Sequence, residues 1–433
     1  MVKHFLRLAG PSVITNVFSY MVMTANTIFA GQFKEDSAAK LAGVGLGSMV
    51  LGMFCRHVLA GVNCAQETLV SQSYGQGQLK LCGMYFNRGM LIMSVVYIPL
   101  ALLLSFSYNI LIALGQAESV ASYAHAYIIP MIPAMYFLGL FDLSRRFLTC
   151  LQYSAVPMYA QIVSSVLHIV LCIFMVKKYD MGVEGLGVAT MITYFLMYFF
   201  TIIYALCIPQ IRKAMMCFNK DTLTGWSDYL SISLPATVML LAEGWAFNVL
   251  GIIAGLISVN DQAVNTILLQ LIAIMFMVPM GIQSAACAII GEQIGANRVT
   301  LAKEYFKVMC HMVILLLFLV QTLVFFGRDS IVKVFTQDSE VASLANSCVF
   351  IIVIAFFPDM IQGSMQGVIR ALNAQQKASY IALGAFYLVS IPLACVLVFV
   401  SGMGVAGLWW AMAAGITIQA VFYTRLVVYD TDW

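Results

Sequence analysis

Four of the nineteen carboxylates in this 433-residue chain fall inside long apolar stretches: Glu67, Asp142, Glu243 and Asp359. Burial in a low-dielectric medium disfavours the charged form of a carboxylate. At membrane depth an acid is tolerated when it faces a protein interior or a watery cavity, so each of the four is a functional candidate. Glu243 stands in the middle of Leu234–Leu256, and no basic residue lies within a turn or two of it on that stretch. Such an acid can take up a proton on one side of a barrier and release it on the other, and when ionised it attracts a cation. If one carboxylate holds either a proton or a solute, mutual exclusion produces exchange. Asp359 follows Phe356, Phe357 and Pro358, where proline frees backbone carbonyls and can bend a helix. Gln362 and Gln366 come three and seven residues after Asp359, so all three can line one helical face. Phe247 is four residues past Glu243 and shares its face, whereas Trp245 points about 200° away around the helix. With Tyr20, Tyr136 and Phe276 these aromatics are candidates for cation–π walls, each competing with a plain packing role.

The remaining intramembrane charges suggest structure more than transport. Asp142 precedes Arg145 and Arg146 by three and four residues, the spacing of an intrahelical salt bridge. Glu67 lies near the end of the second apolar stretch and is expected to pair with a basic residue in a structural or gating role. Arg56, followed by His57, sits inside that same stretch. Arginine is costly there unless paired. It is expected either to meet an acid or to act as a local specificity feature that disfavours cations. His57 could titrate near neutral pH, but a satisfied structural histidine is the simpler account.

Apolar residues make up 62% of the chain and charged residues 9%, with a mean hydropathy of +0.93. Soluble domains carry about 25% charge, so this is a polytopic membrane protein embedded in a lipid bilayer. The net charge of +3 gives no reason to expect a nucleic-acid partner. The first apolar run, 8–31, is long enough to span and lacks a convincing small-residue cleavage site. The abrupt start suggests that an N-terminal tail is missing. Eleven cysteines are scattered without a CxxC pair, which reads as small packing residues and neither disulfides nor a metal site.

Twelve candidate spans are predicted at 8–31, 43–70, 83–106, 121–143, 154–176, 186–208, 229–257, 261–290, 306–326, 345–371, 379–400 and 405–428, each near the roughly 20 residues a bilayer needs. Repeats then decide the architecture. Met181–Leu186 (MGVEGL) opens span six and Met403–Leu408 (MGVAGL) opens span twelve, 222 residues later. Gly75-Gln76-Gly77 is matched by Gly295-Ala296-Asn297 at 220, Gly10-Pro11 by Leu234-Pro235 at 224, and Phe141-Asp142 by Pro358-Asp359 at 217. Four anchors in one order imply two homologous halves: an N-terminal six-helix lobe (1–208), a cytoplasmic linker (209–228) and a C-terminal six-helix lobe (229–433). An even number of spans per half makes the repeat parallel, related by a pseudo-twofold along the membrane normal, with substrate expected between the halves. Fifteen Lys and Arg residues fall on the side of the termini and six, including Lys34, on the other. The positive-inside rule then makes both termini cytoplasmic.

These features resemble the multidrug and toxic compound extrusion (MATE) transporters, and within them the eukaryotic branch. The resemblance covers nearly the whole chain. It is carried by Gly10-Pro11, by ETLVSQSYG at 67–75, by RRFL at 145–148, by the Leu-Pro and AEGWAF (242–247) of span seven, and by QGVIRA at 366–371. It implies an all-α membrane protein of two six-helix lobes around a V-shaped cavity. It implies a secondary antiporter exporting organic cations or other amphipathic solutes by alternating access. In the eukaryotic branch it implies proton coupling at a span-seven acid, here Glu243, and the place of Asp359 matches a position that is acidic in family members. Two departures stand out. Some animal relatives have a second acid one turn beyond the span-seven glutamate, where this chain has Asn248. Many bacterial relatives use a span-one aspartate, whose nearest match is Asn26. An amide cannot take up a proton near neutral pH, so coupling should sit in the C-terminal lobe while Asn26, Asn248, Tyr20, Trp245, Phe247, Gln362 and Gln366 shape the substrate cavity.

The resulting expectation is a multidrug efflux antiporter, not an enzyme, with no cofactor beyond a proton gradient. A Na⁺-coupled exporter is the alternative, because Glu243 and Asp359 could also ligate Na⁺. A flippase of a lipid-linked substrate is the second alternative, disfavoured by those acids but left some room by Arg56. No metal-hydrolase or nucleophile motif supports an enzyme. The chain is expected to be a monomer in the plasma membrane or an endomembrane.

Overall fold

A computed structural model describes residues 1–33, 36–215, 220–335, 339–431 and 433. Lys34 and Cys217, which entered the charge and cysteine readings above, lie outside these residues. Among the described residues, twelve helices are long and apolar enough to cross a membrane. They are α1 (Val2–Ala30), α2 (Ser37–Gly75), α3 (Leu79–Ser105), α4 (Glu118–Cys150), α5 (Ala155–Lys178), α6 (Gly182–Cys207), α7 (Trp226–Ile257), α8 (Asn260–Gly295), α9 (Val299–Lys333), α10 (Glu340–Ala371), α11 (Gln375–Val400) and α12 (Gly404–Val428). All twelve predicted spans are present, and several run past the predicted limits because helical hydrogen bonding continues into polar residues that a hydropathy window discards. A helix satisfies its own backbone, the condition for crossing hydrocarbon. On α9 the exposed side chains Leu315, Phe318, Leu319, Leu323 and Phe326 recur every three or four residues, an apolar stripe that water would not tolerate and acyl chains would.

The internal repeat is visible in the backbone. Left-handed residues recur at Gly77 and Asn297, at Gln152 and Asn373, and at Gly182 and Gly404, which are offsets of 220, 221 and 222. The helices Glu118–Cys150 and Ser339–Ala371 are both 33 residues long and both ends differ by 221. This corrects one sequence anchor. Phe141-Asp142 does not correspond to Pro358-Asp359, because the offset of 217 is one helical turn short; Asp142 corresponds to Gly363 and Asp359 to Leu138.

By packing, the chain divides into Ile14–Thr237 and a unit made of Met1–Val13 with Val238–Trp433. The first turns of α1 therefore belong with the second half of the chain, and the first turns of α7 with the first half. Two glycines explain the tightness. A Cβ on Gly61 of α2 would stand 2.4 Å from the Thr237 Cα, and one on Gly281 of α8 would stand 2.7 Å from the Val13 nitrogen. Gly61 and Gly281 are 220 apart and Thr237 and Val13 are 224 apart, so the same backbone contact is made once in each unit.

The stretch between the halves is tied to the first unit. It contains a short helix, Pro209–Met215, and a turn, Lys220–Leu223. Asp221 offers its carbonyl to Arg88 Nη2 at 2.8 Å. Arg88, Arg146 and Arg370, counted above on the side of the termini, are buried. Twelve charges against six remain, so the bias keeps its sign. The ten described cysteines are free thiols.

Candidate functional site

In α10 the residues Asp359, Gln362, Gln366 and Arg370 follow one another at intervals of three, four and four, which stacks their side chains on one face. All four are buried. Glu243 of α7 meets this face. Gln362 Nε2 donates to Glu243 Oε1 at 3.3 Å and to Asp359 Oδ1 at 2.9 Å. Gln366 Nε2 donates to Glu243 Oε2 at 3.2 Å and to Gln362 Oε1 at 2.9 Å. Arg370 Nη2 donates to Gln366 Oε1 and to Gln283 Oε1 of α8, each at 3.3 Å.

The direction of this ladder is set at its base. A guanidinium has donors and no acceptor, so Gln366 must turn its carbonyl toward Arg370. Its amide nitrogen then faces Gln362 and Glu243, which turns the Gln362 nitrogen toward both acids. Both amide nitrogens of α10 thus donate to a carboxylate. Neither Glu243 nor Asp359 has a salt-bridge partner among the described residues, and the amides of Gln362 and Gln366 stand between them and Arg370. The arrangement holds two acids without pinning either by a direct cation, which leaves them able to exchange a proton or a cation.

Close backbone approach keeps the ladder in register. A Cβ on Gly367 would stand 2.1 Å from the Gln283 carbonyl oxygen, so α10 and α8 touch beside the Arg370 contact. Gly367→Ala is expected to force the helices apart and cost about 1–3 kcal/mol, read as thermal unfolding in detergent. Gly45→Ala, where no heavy atom lies within 4 Å, should move it by no more than about 0.5 kcal/mol.

Other predicted residues lie elsewhere. Phe247 is partly buried against the core of the same unit. Trp245 joins Leu234, Val238, Ile252 and Leu256 on an exposed apolar stripe of α7, away from Glu243. Asn248 donates to the Gly244 carbonyl at 2.8 Å on its own helix. Tyr20 is half-buried on α1. Asn26 is 1% exposed and fully engaged: its amide donates to Tyr127 at 3.2 Å and Thr190 at 2.8 Å, and its Oδ1 meets His168 Nε2 at 3.1 Å. Arg146 bridges Glu67 at 3.0 Å and Asp142 at 2.8 Å, while Arg145 holds Asp142 at 2.7 Å. Arg56 faces the Met23 sulfur at 3.1 Å. Sequence reasoning missed Arg370 and Gln283 in the ladder and His168 beside Asn26. For Arg370 the signal was available, because it lies four residues past Gln366.

This is a duplicated twelve-helix membrane transporter with two buried acids in its second half that have no salt bridge among the described residues. The MatE family profile matches twice, at residues 11–174 and 235–396, starts that differ by 224 and ends by 222. The chain belongs to the MATE family. It is 26% identical over its whole length to multidrug and toxin extrusion protein 1 of Danio rerio, covering 72% of that protein. It is 27% identical to Protein DETOXIFICATION 36 of Arabidopsis thaliana, again over its whole length and 85% of the relative. The crystal structure of the eukaryotic MATE transporter AtDTX14 superposes with a TM-score of 0.92 at 24% identity, covering all of this chain and 96% of that one. Proteins of this family are multidrug and toxin extrusion transporters and not enzymes; their partners are small-molecule substrates and membrane lipid.

Proposed function

We propose that the protein exports organic cations or other amphipathic solutes in exchange for protons by alternating access. Glu243 and Asp359 are the groups that carry the proton or meet the cation. The observation that carries this reading is the shared amide donor of Gln362 between two acids that lack a salt bridge. An acid held by arginine, as Asp142 is, already has its cation beside it. An acid held by neutral amides can alternate between a proton and a cationic solute, and mutual exclusion makes the exchange obligatory. The names of the relatives above support a drug-like or toxic cargo. The excess of basic residues on the side of the termini supports cytoplasmic ends. The chain acts as a monomer in the plasma membrane or an endomembrane and needs no cofactor beyond the ion gradient.

Na⁺ coupling is the second reading, since two carboxylates sharing one donor also offer oxygen ligands to a hard cation. Proteoliposome uptake of a fluorescent organic cation, under an imposed pH gradient and separately under a Na⁺ gradient, decides between them. Uptake driven by the pH gradient alone is expected. Uptake driven only by Na⁺ would transfer the coupling role to that ion, and no uptake under either gradient would overturn cation export.

A further inference from the structure

Arg56 is an intramembrane cation that the antiport reading does not use. It is the central residue of α2, which has 39 residues. Any 20 consecutive residues of that helix include it, and about 20 span the hydrocarbon core, so Arg56 lies at membrane depth wherever the bilayer meets the helix. Arginine is expensive there without an anion.

Four other arginines within the spans have oxygen partners. Arg145 and Arg146 hold carboxylates, Arg370 holds two amide oxygens, and Arg88 holds a backbone carbonyl. Arg56 has no oxygen partner among the described residues. Its Nη2 rests on the Met23 thioether at 3.1 Å, a weak acceptor, and its Nε is buried without a hydrogen-bond partner. The nearby tyrosine hydroxyls are engaged elsewhere. Tyr194 donates its hydroxyl to the same Met23 sulfur at 3.6 Å, and Tyr127 is taken up by Asn26. The helix is also locally widened there, with π-type hydrogen bonding over Gly52–Arg56. Such bulges recur at functional sites.

A guanidinium with an idle Nε and a loosely held Nη is a fork open to a carboxylate or sulfonate, which it binds through two parallel charge-assisted hydrogen bonds. Methionine is the side chain most easily moved aside for one. We propose that Arg56 is an oxyanion subsite that binds the carboxylate or sulfonate of the transported solute. The preferred cargo is then zwitterionic or acid-bearing and not a simple cation. This rests on the export reading above and narrows its substrate class.

The test compares a rhodamine bearing a free benzoic acid with its methyl ester, a cation of nearly the same size. Uptake into proteoliposomes under a pH gradient is measured for the wild type, Arg56→Lys and Arg56→Gln. Thermal shifts of the detergent-solubilised proteins on adding each dye give a readout independent of transport. Wild type should prefer the acid. Arg56→Gln should lower the acid-to-ester ratio about 10- to 100-fold by removing charge-assisted hydrogen bonds, and Arg56→Lys should fall between, because it keeps the charge and loses the fork. The thermal shift caused by the acid should vanish in Arg56→Gln while that caused by the ester stays.

If both dyes are moved and the ratio is the same in wild type and Arg56→Gln, the subsite is overturned and export stands. If only the acid is moved, in an Arg56-dependent way, cation export falls and the subsite stands. No uptake of the acid and no thermal shift with it in wild type overturns the subsite. An Arg56-dependent shift produced by chloride or by phosphatidylglycerol, and not by the acid, assigns the residue to an inorganic ion or a lipid headgroup and also overturns it.

Discussion

Glu243→Gln is expected to lower proton-driven uptake at least about 100-fold while leaving the protein folded. Swinging a two-state carrier from 1:99 to 99:1 takes about 5.5 kcal/mol of differential binding. If two acids share that task, losing one removes about half, which is about 100-fold. The replacement is close in shape. Gln362 and Gln366 each donate to a different oxygen of Glu243, and glutamine offers only one acceptor oxygen. One N–H therefore loses its acceptor, at a cost of about 1–3 kcal/mol, while each amide nitrogen keeps its bond to Asp359 or Gln362. Thermal unfolding in detergent should fall modestly while net transport is lost. Exchange of labelled for unlabelled solute, which needs no net proton movement, should survive better than gradient-driven uptake. Wild-type uptake by Glu243→Gln under the pH gradient would remove the carboxylate from the coupling step.

Much of this arrangement was legible in the chain because hydrocarbon imposes a simple rule. A stretch near 20 apolar residues must be a helix, so the spans followed from hydropathy. The ladder from Asp359 to Gln366 followed from spacing alone. What failed did so for identifiable reasons. Arg370 was counted with the charges on the side of the termini because it falls at the polar end of α10, where hydropathy cannot distinguish a solvated arginine from one buried on its neighbours. Phe141-Asp142 matched Pro358-Asp359 as a dipeptide, yet the helix limits and left-handed turns set the repeat one turn away. Asn26 gave no sign that His168, 142 residues later, would share its amide. Such contacts depend on which helices pack together. Trp245 shows the opposite case: its angle from Glu243 was computable, and it lies on the other side of α7.

Arg146→Met is expected to destabilise the protein by about 3–5 kcal/mol, because it strips a buried carboxylate of the cation it faces. Arg146 serves two acids. Asp142 keeps Arg145 at 2.7 Å, but Glu67 is 2% exposed and loses the guanidinium at 3.0 Å. Arg145→Met should therefore cost much less, since Asp142 would still hold Arg146. The double variant Glu67→Gln with Arg146→Met should recover a large part of the loss, because the carboxylate that faced the guanidinium is removed with it; unfolding in detergent of the wild type, Glu67→Gln, Arg146→Met and the double variant gives the coupling directly. Equal costs for Arg145→Met and Arg146→Met would show that Glu67 does not need the bridge. The repeat explains why this is expected of the first half only. With the offsets set by the helix limits, Glu67 corresponds to Cys287, Asp142 to Gly363 and Arg145 to Gln366. Where the first half places paired charges, the second half places a thiol, glycines and one amide, and Glu243 and Asp359 stand off without a salt bridge among the described residues. Pairing in one half gives its acids a direct cation that Glu243 and Asp359 lack among the described residues, so Arg146 variants should lose stability before they lose coupling, and Glu243 variants the reverse.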